Sequence, residues 1–199
     1  MLEVTFNRIE DKNSINIELL QELNSILDYA EQNPYNKMIA LKGNSKFFCT
    51  GMDFSEYIKL MNHTTSKVNQ PELYMQTIKR LSTISRLIVS QVEGQITVGE
   101  MSIIAASDYV IGTHNVRFSL SEALWGLLPA MILPYLVRRV GYQKAYAMTV
   151  TTQAIDAYKN HVIDYLSDNT AQVLQRFWLR ARLVRIPFIG QMKAYFRSL

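Results

Sequence analysis

A single cysteine, Cys49, occurs in 199 residues, so no intramolecular disulfide framework can form and a reducing compartment fits. Histidine is nearly as scarce. His63, His114 and His161 lack metal-ligand spacing and read as surface or turn residues, so no metal site is expected. No apolar run reaches the length of a membrane span: the longest, Ala123 to Val137, is broken by Gly126, Pro129 and Pro134 and ends in Arg138 and Arg139. The opening MLEVTFNRIEDKN carries acids early and has no apolar core of signal-peptide length, so a soluble, cytoplasmic protein is expected. Tandem repeats and low-complexity tracts are missing too. Acidic residues stop at Asp168, whereas Arg176, Arg180, Arg182, Arg185, Lys193 and Arg197 follow it.

What is present is a chain with 48% hydrophobic residues, enough for one compact unit with a real core. A net charge of +4 is a mild basic excess that suggests an acidic or phosphorylated partner. Leu2 to Phe6 alternates weakly, as an edge strand does. Asn16 is a plausible cap for a helix with Leu19, Leu20, Leu23, Ile26, Leu27 and Ala30 on one face, stopped at Asn33 and Pro34. Met38 to Leu41, Leu87 to Val92 and Tyr109 to Gly112 read as buried strands, and Val116 to Leu120 as a further one. Helices are predicted from Glu72 and from Val98 to Ser107, and Lys59 to Pro71 as a mobile surface segment. Strand, glycine turn and helix recur, which is an α/β arrangement. Beyond Arg139 the pattern predicts only helices, at Tyr142 to Thr152, Ile155 to Leu166, Ala171 to Val184 and Pro187 to Ser198.

Within the stretch FSLSEALWGLLPAMILPYLVRR one carboxylate, Glu122, stands among Phe118, Leu120, Leu124, Trp125 and Leu127. Burying a carboxylate without a partner is costly, so Glu122 is either paired, exposed by a turn, or kept for chemistry. Arg117 and Arg138 are the candidate partners.

The blocks FFCTGMDF, VEGQITVGEMSIIAASD and FSLSEALWGLLPA, in this order and at this distance, resemble the crotonase (enoyl-CoA hydratase/isomerase) superfamily. Within it, CTGMDF, AASD, LVRRVGYQKAYAMT and MKAYFRSL are most similar to dehydratases of polyketide β-branching cassettes, which act on 3-hydroxy-3-methylglutaryl groups carried by an acyl carrier protein. The resemblance implies a repeated β-β-α spiral core over residues 1–140 and a helical carboxyl-terminal region of the same domain over 141–199, shortened at both ends. A homo-oligomer, a trimer as in the family, follows from it as an expectation, as does exposed apolar surface where the family's end segments would lie.

The resemblance also assigns roles. Two backbone N–H groups, those of Met52 and Gly99, match the family's oxyanion donors, which stabilise a thioester enolate; each such donor is typically worth about 3–4 kcal/mol. Read alone, Gly51 and Gly99 are tight-turn glycines. Glu122 matches a family acid/base. It would either take the α-proton and return it to the departing hydroxyl, or protonate the hydroxyl while another group acts as base. The second glutamate of the hydratases is replaced by Ser102, which disfavours a two-carboxylate water addition. Glu100 stands where the family has glycine. Helical geometry turns it about 200° from Ser102, so it does not substitute for the missing acid.

Lys46 matches a position that often faces coenzyme phosphates, and Asp53 is expected to shape the loop or touch the phosphopantetheine arm. Cys49 reads as small packing. No resident cofactor is implied, since phosphopantetheine or coenzyme A arrives as part of the substrate, and no nucleic-acid motif or membrane segment is present. The implied activity is a carrier-protein β-hydroxyacyl dehydratase. The alternatives are an acyl-CoA hydratase or isomerase, and a catalytically silent scaffold for carrier proteins.

Overall fold

Strands covered on both faces lose the apolar-polar alternation of half-exposed ones, and four segments here show that loss to different degrees. In the computed structural model, which describes residues 1–44, 47–53, 70–93, 101–120 and 122–199, they lie side by side. Leu2–Thr5 (β1), Met38–Lys42 (β2), Leu87–Val92 (β3) and Tyr109–Gly112 (β4) form a parallel sheet. Tyr165–Leu166 (β7) completes it in the order β1-β2-β3-β4-β7. Edge strand β1 alternates partly buried and exposed residues, while β2 and β3 are buried almost throughout. The register Ile39 to Ile88 and Val89 to Tyr109 sorts the side chains by face. Ile39, Leu41, Ile88, Val92 and Val110 enter the larger core, and Met38, Ala40, Val89 and Ile111 enter a smaller core on the other side.

The larger core is roofed by Ile17–Gln32 (α1), Gln70–Thr83 (α2) and Met101–Ala106 (α3). Asn16 caps α1 as its type predicts, its Oδ1 accepting from the Leu19 N–H at 2.9 Å. Two polar contacts seam α1 to α2. Asn24 Nδ2 donates to Thr77 Oγ1 at 2.7 Å, and Arg80 grips Asp28 and Glu31, the latter at 2.6 Å. Helix α2 starts two residues before Glu72, the start its periodicity predicts, and α3 is buried along its whole length.

Next comes a short strand, Arg117–Phe118 (β5), where a longer one over Val116 to Leu120 is predicted, and then a 3-10 turn at Glu122–Trp125. Leu133–Val140 (α4) and Tyr142–Thr151 (α5) follow. Further on, Thr170–Ala181 (α6) covers the smaller core, with Tyr109 and Phe177 stacked at 4.5 Å, and Ile186–Ser198 (α7) crosses back.

The helix predicted over Ile155 to Leu166 does not form. That stretch holds Ile155–Asp156 (β6), paired antiparallel with β5, and then β7 at the sheet edge. Local side-chain bonding outcompetes the helix there. Asp156 Oδ1 accepts the N–H groups of Tyr158 and Lys159, both at 3.1 Å, and His161 adopts a left-handed φ of 62°. Asp164 then fixes the strand: its Oδ2 accepts from the Val110 N–H at 2.8 Å and from Arg139 at 3.0 Å.

Helix α7 is anchored by charge as well as by packing. The Lys193 side chain, 8% exposed, pairs with Asp108 at 2.7 Å. Lys193 and Arg197 also donate to the carbonyls of Leu81 and Ser82, which end α2. Removing one member of such a pair strands the other. Lys193→Ala is therefore expected to lower stability by about 2–4 kcal/mol, read as a fall in the urea midpoint with an unchanged slope; an unaltered midpoint would show that α7 docks by apolar contact alone.

Candidate active site

Parallel α/β sheets place their working loops at the carboxyl ends of the strands. Here the loop after β2 is the better described. Its entry is tight: a Cβ on Gly43 would stand 2.2 Å from the Phe47 carbonyl oxygen, so only glycine lets the chain double back there. Phe48 and Cys49 are fully buried, with Phe48 edge-on to Phe6 at 5.4 Å, so Cys49 is a packed thiol as its surroundings predict. Asn13, buried and at a φ of 58°, clamps the loop from below. Its Nδ2 donates to the carbonyls of Phe47 and Phe48 at 3.2 Å, while its Oδ1 accepts from the Arg8 N–H at 2.9 Å.

The loop then meets Ile15 through one parallel bridge. The Ile15 N–H donates to the Gly51 carbonyl at 2.7 Å and the Asp53 N–H donates to the Ile15 carbonyl at 2.9 Å. In that pattern the bonds skip the middle residue, so the Met52 N–H and C=O point away from Ile15. Among the described residues nothing accepts a hydrogen bond from the Met52 N–H. Gly51, at a φ of 78°, supplies the left-handed step into this arrangement. Gln70, the first residue of α2, braces the bridge: its buried Nε2 donates to the Ile15 carbonyl at 3.3 Å. Asp53 shapes the loop through side chains; its Oδ2 accepts from Ser14 Oγ at 3.1 Å and lies 3.6 Å from Arg8.

Glu122 opens the 3-10 turn and is partly buried. Its Oε2 is buried and has no hydrogen-bond partner among the described residues. Neither candidate partner reaches it. Arg117 lies opposite Asp156 in the β5–β6 pair, and Arg138 lines a cavity under α7 with Tyr135 and Phe196. A third group joins them from α2. Tyr74, 3% exposed, lies within electrostatic reach of Cys49 and Glu122, with Ser102 beside it. Burial pushes its phenol well above the ordinary value, and the Glu122 charge pushes it further in the same direction, so it stays protonated.

Of the sites expected from sequence, Met52, Asp53 and Glu122 are therefore placed, and Ser102 occupies the buried helix face facing Tyr74. Lys46, Gly99 and Glu100 lie outside the described residues, as do His63 and residues 59–69 of the Lys59 to Pro71 segment expected to be mobile, whose last two residues, Gln70 and Pro71, instead open α2. His114 and His161 are exposed in turns, as expected. Sequence reasoning missed Tyr74, Asn13 and Gln70. Tyr74 carried a usable signal: it shares a helical face with Ile78 and Leu81, so its hydroxyl had to be buried and partnered.

The family profile described as enoyl-CoA hydratase/isomerase matches residues 1–181. The chain belongs to that family of enzymes. Among its relatives is the bacillaene synthase dehydratase PksH of Bacillus subtilis (strain 168), 32% identical over 98% of this chain and 76% of PksH. The 2,3-dehydroadipyl-CoA hydratase of Escherichia coli (strain K12) is 27% identical over 84% of this chain and 65% of its own length. Against the latter relative, then, this enoyl-CoA hydratase/isomerase family member spans slightly less than two thirds. A crystal structure described as the polyketide biosynthesis enoyl-CoA hydratase pksH from Bacillus subtilis superposes with a TM-score of 0.88, covering 98% of this chain and 79% of that one.

The clamp on the loop is open to test. Asn13→Ala removes three hydrogen bonds, one to a buried partner and two to partly buried ones, and puts an alanine at positive φ, so a loss of about 2–4 kcal/mol in unfolding free energy is expected by chemical denaturation. A variant as stable as the parent would mean that water replaces the amide.

Proposed function

We propose that this chain is a hydro-lyase that removes water from a β-hydroxyacyl thioester of the 3-hydroxy-3-methylglutaryl type, delivered on an acyl carrier protein. The observation that carries the reading is Glu122 Oε2, buried and without a hydrogen-bond partner among the described residues, with the protonated Tyr74 phenol within electrostatic reach. Burying a carboxylate oxygen without a partner is costly, which is a reason to read it as kept for a ligand or for chemistry.

In the proposed sequence the thioester carbonyl oxygen accepts from the Met52 N–H and from that of Gly99. Glu122 takes the α-proton, and the C–H electron pair moves into the enolate. The enolate collapses to the α,β double bond, the β C–O bond breaks, and the leaving oxygen takes the proton back from Glu122 as water. Glu122 ends ionised as it began, so one carboxylate suffices. Ser102 at the second acid's position fits this better than it fits addition of water by two acids. The 32% identity to a dehydratase supports the same reaction class.

For the carrier, four arginines remain on the surface. Arg176, Arg180, Arg182 and Arg185 are exposed, whereas Lys193 and Arg197 of the same basic run turn inward to Asp108 and α2. An acidic carrier protein suits the outward four. Assembly as a homo-oligomer, with the family's trimer as the expected form, would cover the exposed Leu124, Leu127 and Leu128 beside the Glu122 turn. The second reading, an acyl-CoA hydratase, draws on the likeness to the dehydroadipyl-CoA hydratase.

Incubation with 3-hydroxy-3-methylglutaryl carrier protein should yield product lighter by one water in intact-mass spectra. Glu122→Gln should slow this at least about a hundredfold, the usual worth of a positioned acid/base. Full activity in the glutamine variant removes Glu122 from the chemistry. Hydration of crotonyl-CoA with no loss of water from the carrier substrate would replace the first reading by the second.

A further inference from the structure

We propose that the cavity between α7 and the amino ends of β3 and β4 binds a small amphipathic carboxylate, one anionic head on an aliphatic chain, with the head held by Arg138 and Arg197. The proposal is independent of the dehydratase reading, because this cavity lies at the opposite end of the sheet from the Met52 loop.

The position follows from the strands. Leu87, the first residue of β3, and Asp108, which precedes β4, line the cavity, whereas the loop that carries Met52 leaves the carboxyl end of β2. A strand of the length of β3 sets the two ends about 20 Å apart. At about 580 Å³ the cavity has the size of a small-molecule site, for which about 300–1,000 Å³ is usual.

Its lining is of two kinds. Leu87, Ala106, Ile189 and Phe196 offer apolar surface from β3, α3 and α7. The charged lining consists of three cations, Arg138, Lys193 and Arg197, and one acid, Asp108. That acid is engaged already: it pairs with Lys193 at 2.7 Å and accepts from the Ile88 N–H at 2.7 Å. Arg138 and Arg197 are left, and among the described residues neither forms an ion pair. Arg197 uses one guanidinium N–H on the Ser82 carbonyl at 2.7 Å. Tyr135 lies beside Arg138: burial pushes its phenol above the ordinary value and the Arg138 charge draws it back, so it stays protonated and is a further donor.

This lining selects a ligand by head and by body. A guanidinium is weakly hydrated and its planar fork matches a carboxylate, so an anionic head gains charge-assisted hydrogen bonds there, while a cation meets like charge. An aliphatic body gains by covering the apolar surface; an anion without one leaves that surface wet. The same helix that walls the cavity also holds the end of α2, through Lys193 and Arg197. An occupant therefore adds contacts between α7 and the core, and stabilises the folded chain by mass action.

The test titrates the 199-residue chain, by isothermal calorimetry at neutral pH, with octanoate, with 1-octanol, which has the body without the charge, and with acetate, which has the charge without the body. Octanoate is expected to bind at one site about tenfold more tightly than 1-octanol, the usual worth of a charge-assisted hydrogen bond, and to raise the melting midpoint. Acetate should give no heat of binding. Arg138 is exposed, so Arg138→Gln should fold as the parent does; it should lower affinity for octanoate about tenfold and leave that for 1-octanol unchanged. Phe196→Ala, at another exposed position, should weaken both ligands by about threefold. Failure of octanoate to bind, equal affinity for octanoate and 1-octanol, or a preference retained in full by Arg138→Gln overturns the proposal. Octanoate affinity untouched by Phe196→Ala places the chain of the ligand elsewhere, on apolar surface such as Leu127 and Leu128, and overturns it too.

Discussion

Two hydrogen bonds between Ile15 and the Gly51–Asp53 step decide the direction in which one backbone amide points. Backbone donors have no side chain to aim them; only the path of the chain can do it. A parallel bridge aims the middle residue outward as a matter of geometry, and the surrounding contacts serve to keep that bridge in register. Asn13 holds the approach, Gln70 holds the Ile15 carbonyl, and the Ser14 and Arg8 contacts to Asp53 hold the exit. Positive φ at Asn13 and Gly51 places conformational cost on both sides of Phe48, whose burial offsets it.

The second constraint is electrostatic. Sites built from two carboxylates must manage repulsion between them, commonly by keeping one protonated. Here a buried serine, Ser102, stands where the resemblance puts the second carboxylate, and Tyr74 close by is held neutral by burial. Under the proposed mechanism proton exchange would fall to Glu122 alone, in surroundings that are otherwise neutral. Helix α2 links the two constraints, since Gln70 and Tyr74 lie one turn apart on it.

The sheet was legible because its signals are local. Met38 to Lys42 and Leu87 to Val92 are apolar runs of strand length, and the Asn16 cap and Asn33-Pro34 stop bound α1 within a residue or so. Ile155 to Leu166 misled because its apolar spacing fits a helix, while the residues that decide its shape, Asp156 and Asp164, act through bonds to Lys159, Val110 and Arg139. Two of those three partners are distant in the chain, and periodicity has no access to them. The site divides the same way. Glu122 stood out as a charge among apolar residues, whereas Tyr74 looked like one more core residue, because an aromatic ring on a helix face advertises its ring and hides its hydroxyl.

Helix α7 is bonded to the far end of α2 across 112 residues of chain, from Leu81 to Lys193. During synthesis, β1, α1, β2, α2 and β3 emerge first, and their pairings span short loops that close early. The carbonyls of Leu81 and Ser82 wait for Lys193 and Arg197 until nearly the whole of this chain has left the ribosome. The helix that carries Tyr74 is therefore held at its carboxyl end by residues more than a hundred positions further along the chain. A chain that has not yet made α7 holds β1 to β3 in place while the carboxyl end of α2 still lacks the donors of Lys193 and Arg197.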